Sequence, residues 1–206
     1  MSGRTRFAAA AAVLAAVALL SGCGSDDATS SASASATPSP SPTPTPAPVI
    51  WAGEVCVARD GVSAAVGALG RNLSYDVSSD RSALEQIDRQ LRIQVLAVGD
   101  SLNQLGTALQ GVPVDFQAAN DFVVDATKAK DSTTEALEAT RTNLDSLVNA
   151  DSVVAGVAAA GAALVSAKAA FEAGSALVTV VSDGVSAKGG ELQAAFDAAP
   201  QCQAGT

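Results

Sequence analysis

An apolar stripe of helical period in the middle of the chain limits its fold most strongly. Its eight residues recur at steps of three or four, and they are Leu84, Ile87, Leu91, Val95, Val98, Leu102, Leu105 and Leu109. This spacing places one apolar side chain per turn on a single face of an α-helix. Ser82 and Glu85 have the spacing of a capping box at its start, and Gly111 and Pro113 are typical of its end. The stripe predicts a long helix that buries one face against other helices.

Three further segments repeat this period, so we predict an all-α protein. The first helix spans residues 51–73, the third runs over about 114–148, and the fourth begins after a cap at Asp151 or Ser152. Their connections are short, which favours an antiparallel up-down-up-down four-helix bundle. We expect this helical bundle domain to occupy residues 49–206.

The fourth helix is long and contains several glycines. We expect a kink or a break in the range 184–190, where Gly184 and the pair Gly189-Gly190 lie. Residues 184–199 either continue helix four or form a separate helix. The earlier part, Val153 to Val165, is apolar on every face. It is too short to span a membrane, so it is either a buried central helix or one side of an interface.

The helical segments follow a stretch in which a proline stands at every second position. These residues are Pro38, Pro40, Pro42, Pro44, Pro46 and Pro48. Each ring fixes φ and removes a hydrogen-bond donor, which prevents both helix and sheet. The alternation predicts a semi-rigid polyproline II spacer, preceded by a flexible Ser-rich tract. We therefore expect a disordered Ser/Thr/Pro-rich linker up to residue 48, with a composition similar to O-glycosylated stalks.

The first residues have the pattern of an export signal. Arg4 and Arg6 precede the uncharged apolar run 7–20, which is too short to cross a bilayer. The motif Leu20-Ser21-Gly22-Cys23 resembles the lipobox of bacterial lipoproteins. The resemblance implies a signal peptide over residues 1–22 and a mature chain that begins at an acylated Cys23, continuing as the linker 23–48. The alternative is an ordinary secretory signal that happens to contain a cysteine.

The order of lipobox, Ser/Thr/Pro stalk and Ala-rich helical domain resembles small secreted lipoproteins of high-GC Gram-positive bacteria. This resemblance is specific over residues 1–23 and architectural beyond them. It implies a lipid anchor, with palmitate as a typical acyl chain, at the outer, extracytoplasmic face of the cell membrane. The membrane is then a partner through Cys23. The resemblance supplies no enzymatic activity and no further functional residue.

The charge of the chain argues against nucleic acid as a partner. All 21 acidic residues follow Cys23, whereas two of the 12 Lys and Arg residues precede it, so the mature chain has a net charge of −11. Affinity for nucleic acid depends on basic patches that displace counterions from phosphates. An acidic soluble domain on a tether is the expected arrangement.

Two cysteines remain once Cys23 is assigned to the anchor. An exported chain meets an oxidising environment, so Cys56 and Cys202 are expected to form a disulfide. Cys56 lies near the start of helix one, and Cys202 follows the last helix, which Pro200 is expected to end. In an up-down-up-down bundle both positions lie at the same end. A sharp reversal at the glycine pair would instead carry Cys202 away.

The chain contains no histidine. This excludes the catalytic triads, zinc sites and di-iron sites that need it. The carboxylates are scattered over helical faces in the manner of a solvated surface. We therefore expect no enzymatic activity, no metal and no cofactor.

Four side chains are candidates for contact with a ligand or partner. Trp51 either packs as an apolar plug at the mouth of the bundle near the disulfide or stacks on a ligand. Lys130, Thr133 and Thr140 fall at inward positions of helix three and would line a polar pocket between helices. A small shift of register would turn Lys130 outward instead.

These patterns lead to two hypotheses about function. The first is a non-enzymatic envelope protein whose bundle binds another envelope protein or a wall polymer, with the apolar part of helix four as the contact. The alternative is a small-molecule or lipid carrier that holds its ligand between the helices. A continuous internal cavity would favour the carrier. A tight core with an exposed apolar strip would favour the binding protein.

Overall fold

This computed structural model describes residues 45–71, 73 and 80–203. Most of these residues form helices, in which apolar residues recur at helical spacing. The helices are α1 (Ala47–Arg71), α2 (Arg81–Gln110), α3 (Asn120–Val148), α4 (Val153–Lys188), α5 (Gly190–Ala198) and α6 (Pro200–Gln203). A 3₁₀ turn, Gln117–Ala119, precedes α3. The described ranges contain no strand, so the predicted all-α class is confirmed. The proposed signal peptide, Cys23 and the linker up to residue 44 lie outside these ranges.

The start of α1 differs from the expected domain boundary by two residues. The helix begins at Ala47, and the carbonyl oxygen of Pro46 accepts the backbone N–H of Val49 at 3.0 Å. Pro48 therefore lies in the first turn of α1 rather than closing the linker. Proline is tolerated there because first-turn N–H groups have no intrahelical partner.

The start of α2 is capped by a different residue from the one expected. The side chain of Asp80 accepts the backbone N–H of Ser82 at 3.0 Å, and Asp80 has extended backbone angles. Asp80 is thus the N-cap, and the prediction of Ser82 was wrong. A carboxylate in this position satisfies one of the free N–H groups of the first turn. In α4 the expected cap Ser152 is correct, because its Oγ accepts the N–H of Ala155 at 3.2 Å.

Helix three begins later than predicted. The expected start was Val114, whereas α3 starts at Asn120 after two turns in which Phe116 N–H bonds to the Pro113 carbonyl and Ala119 N–H to the Phe116 carbonyl. These turns point Phe116 into the core, where it is 7% exposed. Burial of this ring offsets the helical hydrogen bonds that the segment gives up.

The glycines near residue 190 separate two helices. α4 continues through Gly184 and ends at Lys188, and Gly189 and Gly190 have φ values of +59° and +57°. This left-handed backbone is accessible to glycine at little cost, and it reverses the chain. Of the two alternatives for residues 184–199, the separate helix is therefore observed. Pro200 begins the short α6 instead of ending the helical region.

Two ends of the helical domain can be distinguished. At one end the start of α1 meets the end of α2, since Trp51 bonds to the Ala108 carbonyl, and Phe122 and Phe196 pack there as well. We call this the disulfide end, because Cys202 is bonded to α1 there. At the far end, the starts of α2 and α4 meet the end of α3. A Cβ on Gly156 would lie 3.2 Å from Leu84 and 3.9 Å from Leu147.

The helices have unequal lengths, so among the described residues α1 ends before α4 does at the far end. Near its end, α1 packs against the ring of Phe171, which a Cβ on Gly70 would meet. α4 begins 18 residues before Phe171, at Val153. At 1.5 Å per residue this is about 27 Å of helix beyond the end of α1. The far end therefore consists of α2, α3 and α4 without α1.

α4 is also the most apolar helix of the described part. By length and composition alone it would qualify as a membrane-spanning helix, with a mean hydropathy of 1.7 over its most apolar window. This corrects the prediction that the segment is too short, because the apolar window extends past Lys168. Only 28% of that 18-residue window is buried inside the domain.

Candidate partner-binding surface

The disulfide joins the two cysteines that the sequence paired. Cys56 and Cys202 are bonded, with their Cα atoms 5.2 Å apart and a sequence separation of 146. The break between α4 and α5 at Gly189 does not carry Cys202 away from α1. α5 is only nine residues long, and a second change of direction at Ala199 returns the chain to α1.

Trp51 is enclosed at the disulfide end. Its side chain is 2% exposed, and its indole N–H donates to the carbonyl oxygen of Ala108 at 2.8 Å. Phe116, Phe122 and Phe196 meet the ring edge-on at centroid distances of 5.8, 6.1 and 5.7 Å. Such edge-to-face contacts add to the energy of burial. The ring therefore acts as a plug in the core, with no free face on which a ligand could stack.

The three polar candidates of helix three do not line a common pocket. The hydroxyl groups of Thr133 and Thr140 are buried, and they donate within α3 to the carbonyl oxygens of Ala129 and Ala136, each at 2.9 Å. Lys130 is turned aside, and its Nζ pairs with Asp131 at 2.7 Å. Local bonds of this kind satisfy a hydroxyl in a helix without any ligand.

The described ranges offer no other polar site in the core. Within them, every buried side-chain nitrogen or oxygen has a hydrogen-bond partner. No group of three His, Cys, Asp or Glu residues in these ranges is placed to hold a metal ion. The remaining candidate sites lie on the surface.

The far end contains an open cleft of about 440 Å³, which we call the distal cleft. Its floor is apolar and comprises Leu84, Leu147 and Gly156. Val148 and Val153 form its walls. Among the described residues, α1 does not reach this region, and Gly156 lets α4 approach α2 closely beside Leu84. Its volume falls in the usual range of ligand pockets.

Two exposed valines line the distal cleft. Val148 is 62% exposed and Val153 46%. Single exposed apolar residues are ordinary on a protein surface, but a group beside an apolar cleft is typical of an interaction site. The sequence analysis placed a contact in the apolar part of helix four, and Val153 and Val154 lie within it. It missed Val148 and the cleft, because these depend on where helices of different length end relative to one another.

A charged network borders the cleft and connects α2 to α3. Arg92 Nε lies 2.8 Å from Asp88, and its Nη1 lies 3.0 Å from Asp145. Burial alone lowers the pKa of Arg92, but the hydrogen bonds to Asp145 and Asp88 outweigh it, so this pKa lies above its ordinary value. The network keeps the cleft wall formed by α2 in place against α3.

No protein-family model, curated protein or solved structure matches this chain. Trp51, Thr133 and Thr140 are buried, and Lys130 pairs with Asp131. The distal cleft with its two valines is a surface open to a partner, and a second open cleft of about 770 Å³ lies beside Ile50 and Val57 at the disulfide end.

Proposed function

We propose that this protein is a membrane-anchored, extracytoplasmic lipoprotein whose non-enzymatic helical domain binds an envelope protein or a wall polymer at its far end. One observation carries the proposal, namely the two exposed valines that line the distal cleft. An apolar centre with a charged rim is the usual anatomy of a protein interface.

The position of the cleft relative to the anchor supports this role. The chain enters the domain at Ala47, at the disulfide end, and the proposed lipid lies on the N-terminal side of that point. Arg81, at the mouth of the cleft, precedes Ala108 by 27 residues of α2, which is about 40 Å of helix. The tether therefore joins the domain at the end opposite the cleft, which leaves the cleft clear of the point of attachment.

We further propose that the four long helices form the up-down-up-down bundle, with α5 and α6 as a cap over one end. Contacts of Trp51 with Ala108 and Phe122 support this, because they place the start of α1, the end of α2 and the start of α3 together. The proximity of Leu84 and Gly156 supports it at the other end. Short connections between antiparallel neighbours are typical of such bundles.

The carrier hypothesis is less well supported. A ligand between the helices needs space in the middle of the domain, where glycines instead allow close packing. A Cβ on Gly174 would lie 2.6 Å from Val66, and one on Gly70 would lie 2.5 Å from Phe171. The distal cleft is open to solvent, so it suits a partner's side chains better than an enclosed lipid.

Separation of detergent-solubilised membranes by native size tests the proposal. The wild-type protein should migrate as a complex larger than its own mass. Val148→Glu should shift it to the size of the free protein, because a charge in an apolar contact must be desolvated. Val124→Glu is the matched control, since Val124 is 65% exposed, against 62% for Val148, and lies near the start of α3. A wild-type protein of free size, or equal effects of both variants, would contradict the proposal.

A further inference from the structure

We propose that the Cys56–Cys202 disulfide is a latch, which a dithiol reductant opens by attack on the sulfur of Cys202, and that its opening releases α6 from α1. The latch lies at the disulfide end, so it is independent of the partner surface proposed for the far end. Three observations support it. They are the unequal exposure of the two cysteines, the absence of buried residues in α6 and the part of α1 that α6 covers.

The two sulfurs of the bond differ in access. Cys56 is 1% exposed, whereas Cys202 is only partly buried. Both residues line an open cleft of about 550 Å³ formed by α1, α4, α5 and α6, which we call the disulfide cleft. The rate of thiol–disulfide exchange depends on which sulfur the attacking thiolate can reach. The cleft therefore admits a thiolate to the bond, and access directs the attack to Cys202.

The charges around the disulfide cleft do not select the sulfur. Arg59 lines the cleft, but its Nη2 lies 2.7 Å from the carboxylate of Asp60. Asp197 adds a further carboxylate to the lining. The cation is balanced by these carboxylates, so the choice of Cys202 depends on access.

The exchange takes place in two balanced steps. A thiolate of the reductant bonds to Sγ of Cys202, the bond between the two cysteines breaks, and Cys56 leaves as a thiolate that takes a proton from water. The second thiol of the reductant loses its proton and attacks the reductant's own sulfur in this mixed disulfide, which releases Cys202 as a thiolate that is protonated in turn. Two electrons thus pass from the reductant, which becomes a disulfide, to the protein, which gains two thiols.

α6 has little apart from the disulfide to hold it on α1. It is four residues long, and none of the four is buried. The side chain of Gln203 donates to the Asp197 carbonyl oxygen at 2.7 Å, and the backbone N–H of Cys202 donates to the Ala199 carbonyl oxygen at 3.1 Å. These bonds lead back toward α5 and not to α1. Because a single helical turn is not stable by itself in water, loss of the disulfide should free α6.

α5 should stay in place when α6 is released. Its Leu192 is 0% exposed and its Phe196 6% exposed. The ring of Phe196 meets those of Trp51 and Phe122 edge-on, each at a centroid distance of 5.7 Å. Burial of these side chains does not depend on the disulfide. The change of structure is therefore confined to residues 200–203.

Release of α6 would uncover part of α1. A Cβ on Gly53 would lie 2.6 Å from Oε1 of Gln201, so this side chain lies directly on the backbone of α1. Gln201 also lines the second open cleft, beside Ile50 and Val57. Departure of α6 would remove this wall and widen the second cleft toward Cys56. The redox state of the latch would thus determine which surface the disulfide end presents.

Glutathione, a monothiol probe, tests which sulfur is attacked. The oxidised exported protein is treated with glutathione under native conditions, free thiols are trapped with N-ethylmaleimide, and peptide mass spectrometry locates both groups. We expect glutathione on Cys202 and maleimide on Cys56, in about tenfold excess over the reverse product. Equal amounts of the two products, an excess of glutathione on Cys56, or no adduct under native conditions would overturn the inference.

The rate at which maleimide labels Cys56 after reduction with dithiothreitol tests whether α6 is released. The control is Val62→Cys in a chain that also contains Cys56→Ser and Cys202→Ser, since Val62 is 0% exposed on the same helix but does not line the disulfide cleft. We expect Cys56 to react about tenfold faster than the control thiol, because only Cys56 is uncovered by a local opening. Emission of Trp51, the single tryptophan, should stay unchanged. Equal labelling rates, or a shift of this emission on reduction, would overturn the inference.

Discussion

The indole nitrogen of Trp51 donates a hydrogen bond to the carbonyl oxygen of Ala108, 57 residues later in the chain, at 2.8 Å. This bond holds the start of α1 against the end of α2. Phe196 brings α5 to the same ring, and the disulfide lies less than two turns further along α1. The end at which the tether enters is therefore held together by a hydrogen bond, an aromatic cluster and the disulfide.

Replacement of Trp51 should reveal the energy of this cluster. Trp51→Phe removes the N–H, but the Ala108 carbonyl keeps the backbone N–H of Gly111 at 3.1 Å, so loss of this bond should cost about 0.5–1.5 kcal/mol. Trp51→Ala also empties a space among three rings and should cost about 3–5 kcal/mol. The free energy of unfolding in urea measures both.

Ile50→Ala is the control for the neighbouring position. Ile50 is 51% exposed, so its replacement should change stability by no more than about 0.5 kcal/mol. If Trp51→Phe were as mild as Ile50→Ala, the hydrogen bond to Ala108 would have no energetic role.

Reduction of the disulfide should destabilise the domain strongly. The bond closes a loop of 146 residues, for which chain entropy predicts a loss of up to about 5 kcal/mol. The midpoint of urea unfolding should fall on addition of a reductant. The double variant Cys56→Ser, Cys202→Ser should start from the lower midpoint and show no response to the reductant. Labelling of two free thiols in the exported protein would refute the bond.

Two glycines of α4 form a matched test of packing. A Cβ on Gly174 would lie 2.6 Å from Cγ2 of Val66, whereas one on Gly161 would meet nothing within 4 Å. Gly161→Ala should stabilise the protein by about 0.5–1 kcal/mol through helix propensity. Gly174→Ala should destabilise it by about 1–3 kcal/mol, because branched Val66 has little rotamer freedom with which to move away. Thermal unfolding distinguishes the two, and equal shifts would mean that α1 and α4 are not in close contact.

The long helices were predictable because their apolar residues repeat along the chain itself. The eight-residue stripe of α2 is buried as expected, with Leu84 and Leu109 near its two limits. The cap at Ser152 and the disulfide followed from local chemistry and from counting cysteines. Each of these predictions depends only on residues close together in the sequence or on one pair of cysteines.

The errors arose where tertiary contacts compete with local patterns. The helical pattern from Val114 onward is locally sound, but burial of Phe116 against Trp51 bends the chain away from it. Gly189 permits both continuation and reversal, and packing of α5 decides between them. The distal cleft depends on the level at which α1 ends beside α4. No periodicity within one helix contains that information.

The proposed lipid anchor predicts the effect of replacing Cys23. Cys23→Ser removes the sulfur that would carry the lipid, so the protein should be released from cells or remain as an unprocessed precursor. Stable retention needs two acyl chains, since one chain binds a membrane only marginally. Mass spectrometry of the mature N-terminus measures the modification. An unmodified N-terminus at another residue would exclude the lipoprotein assignment.

Site-specific photocrosslinking in intact cells tests most directly whether the far end binds a partner. A photoreactive residue at position 153 lies in the lining of the distal cleft, and one at position 124 occupies a more exposed site near the other end. We predict a discrete crosslinked product from position 153 and no such product from position 124. Crosslinks of equal yield from both positions, or none from position 153, would contradict a binding surface at the far end.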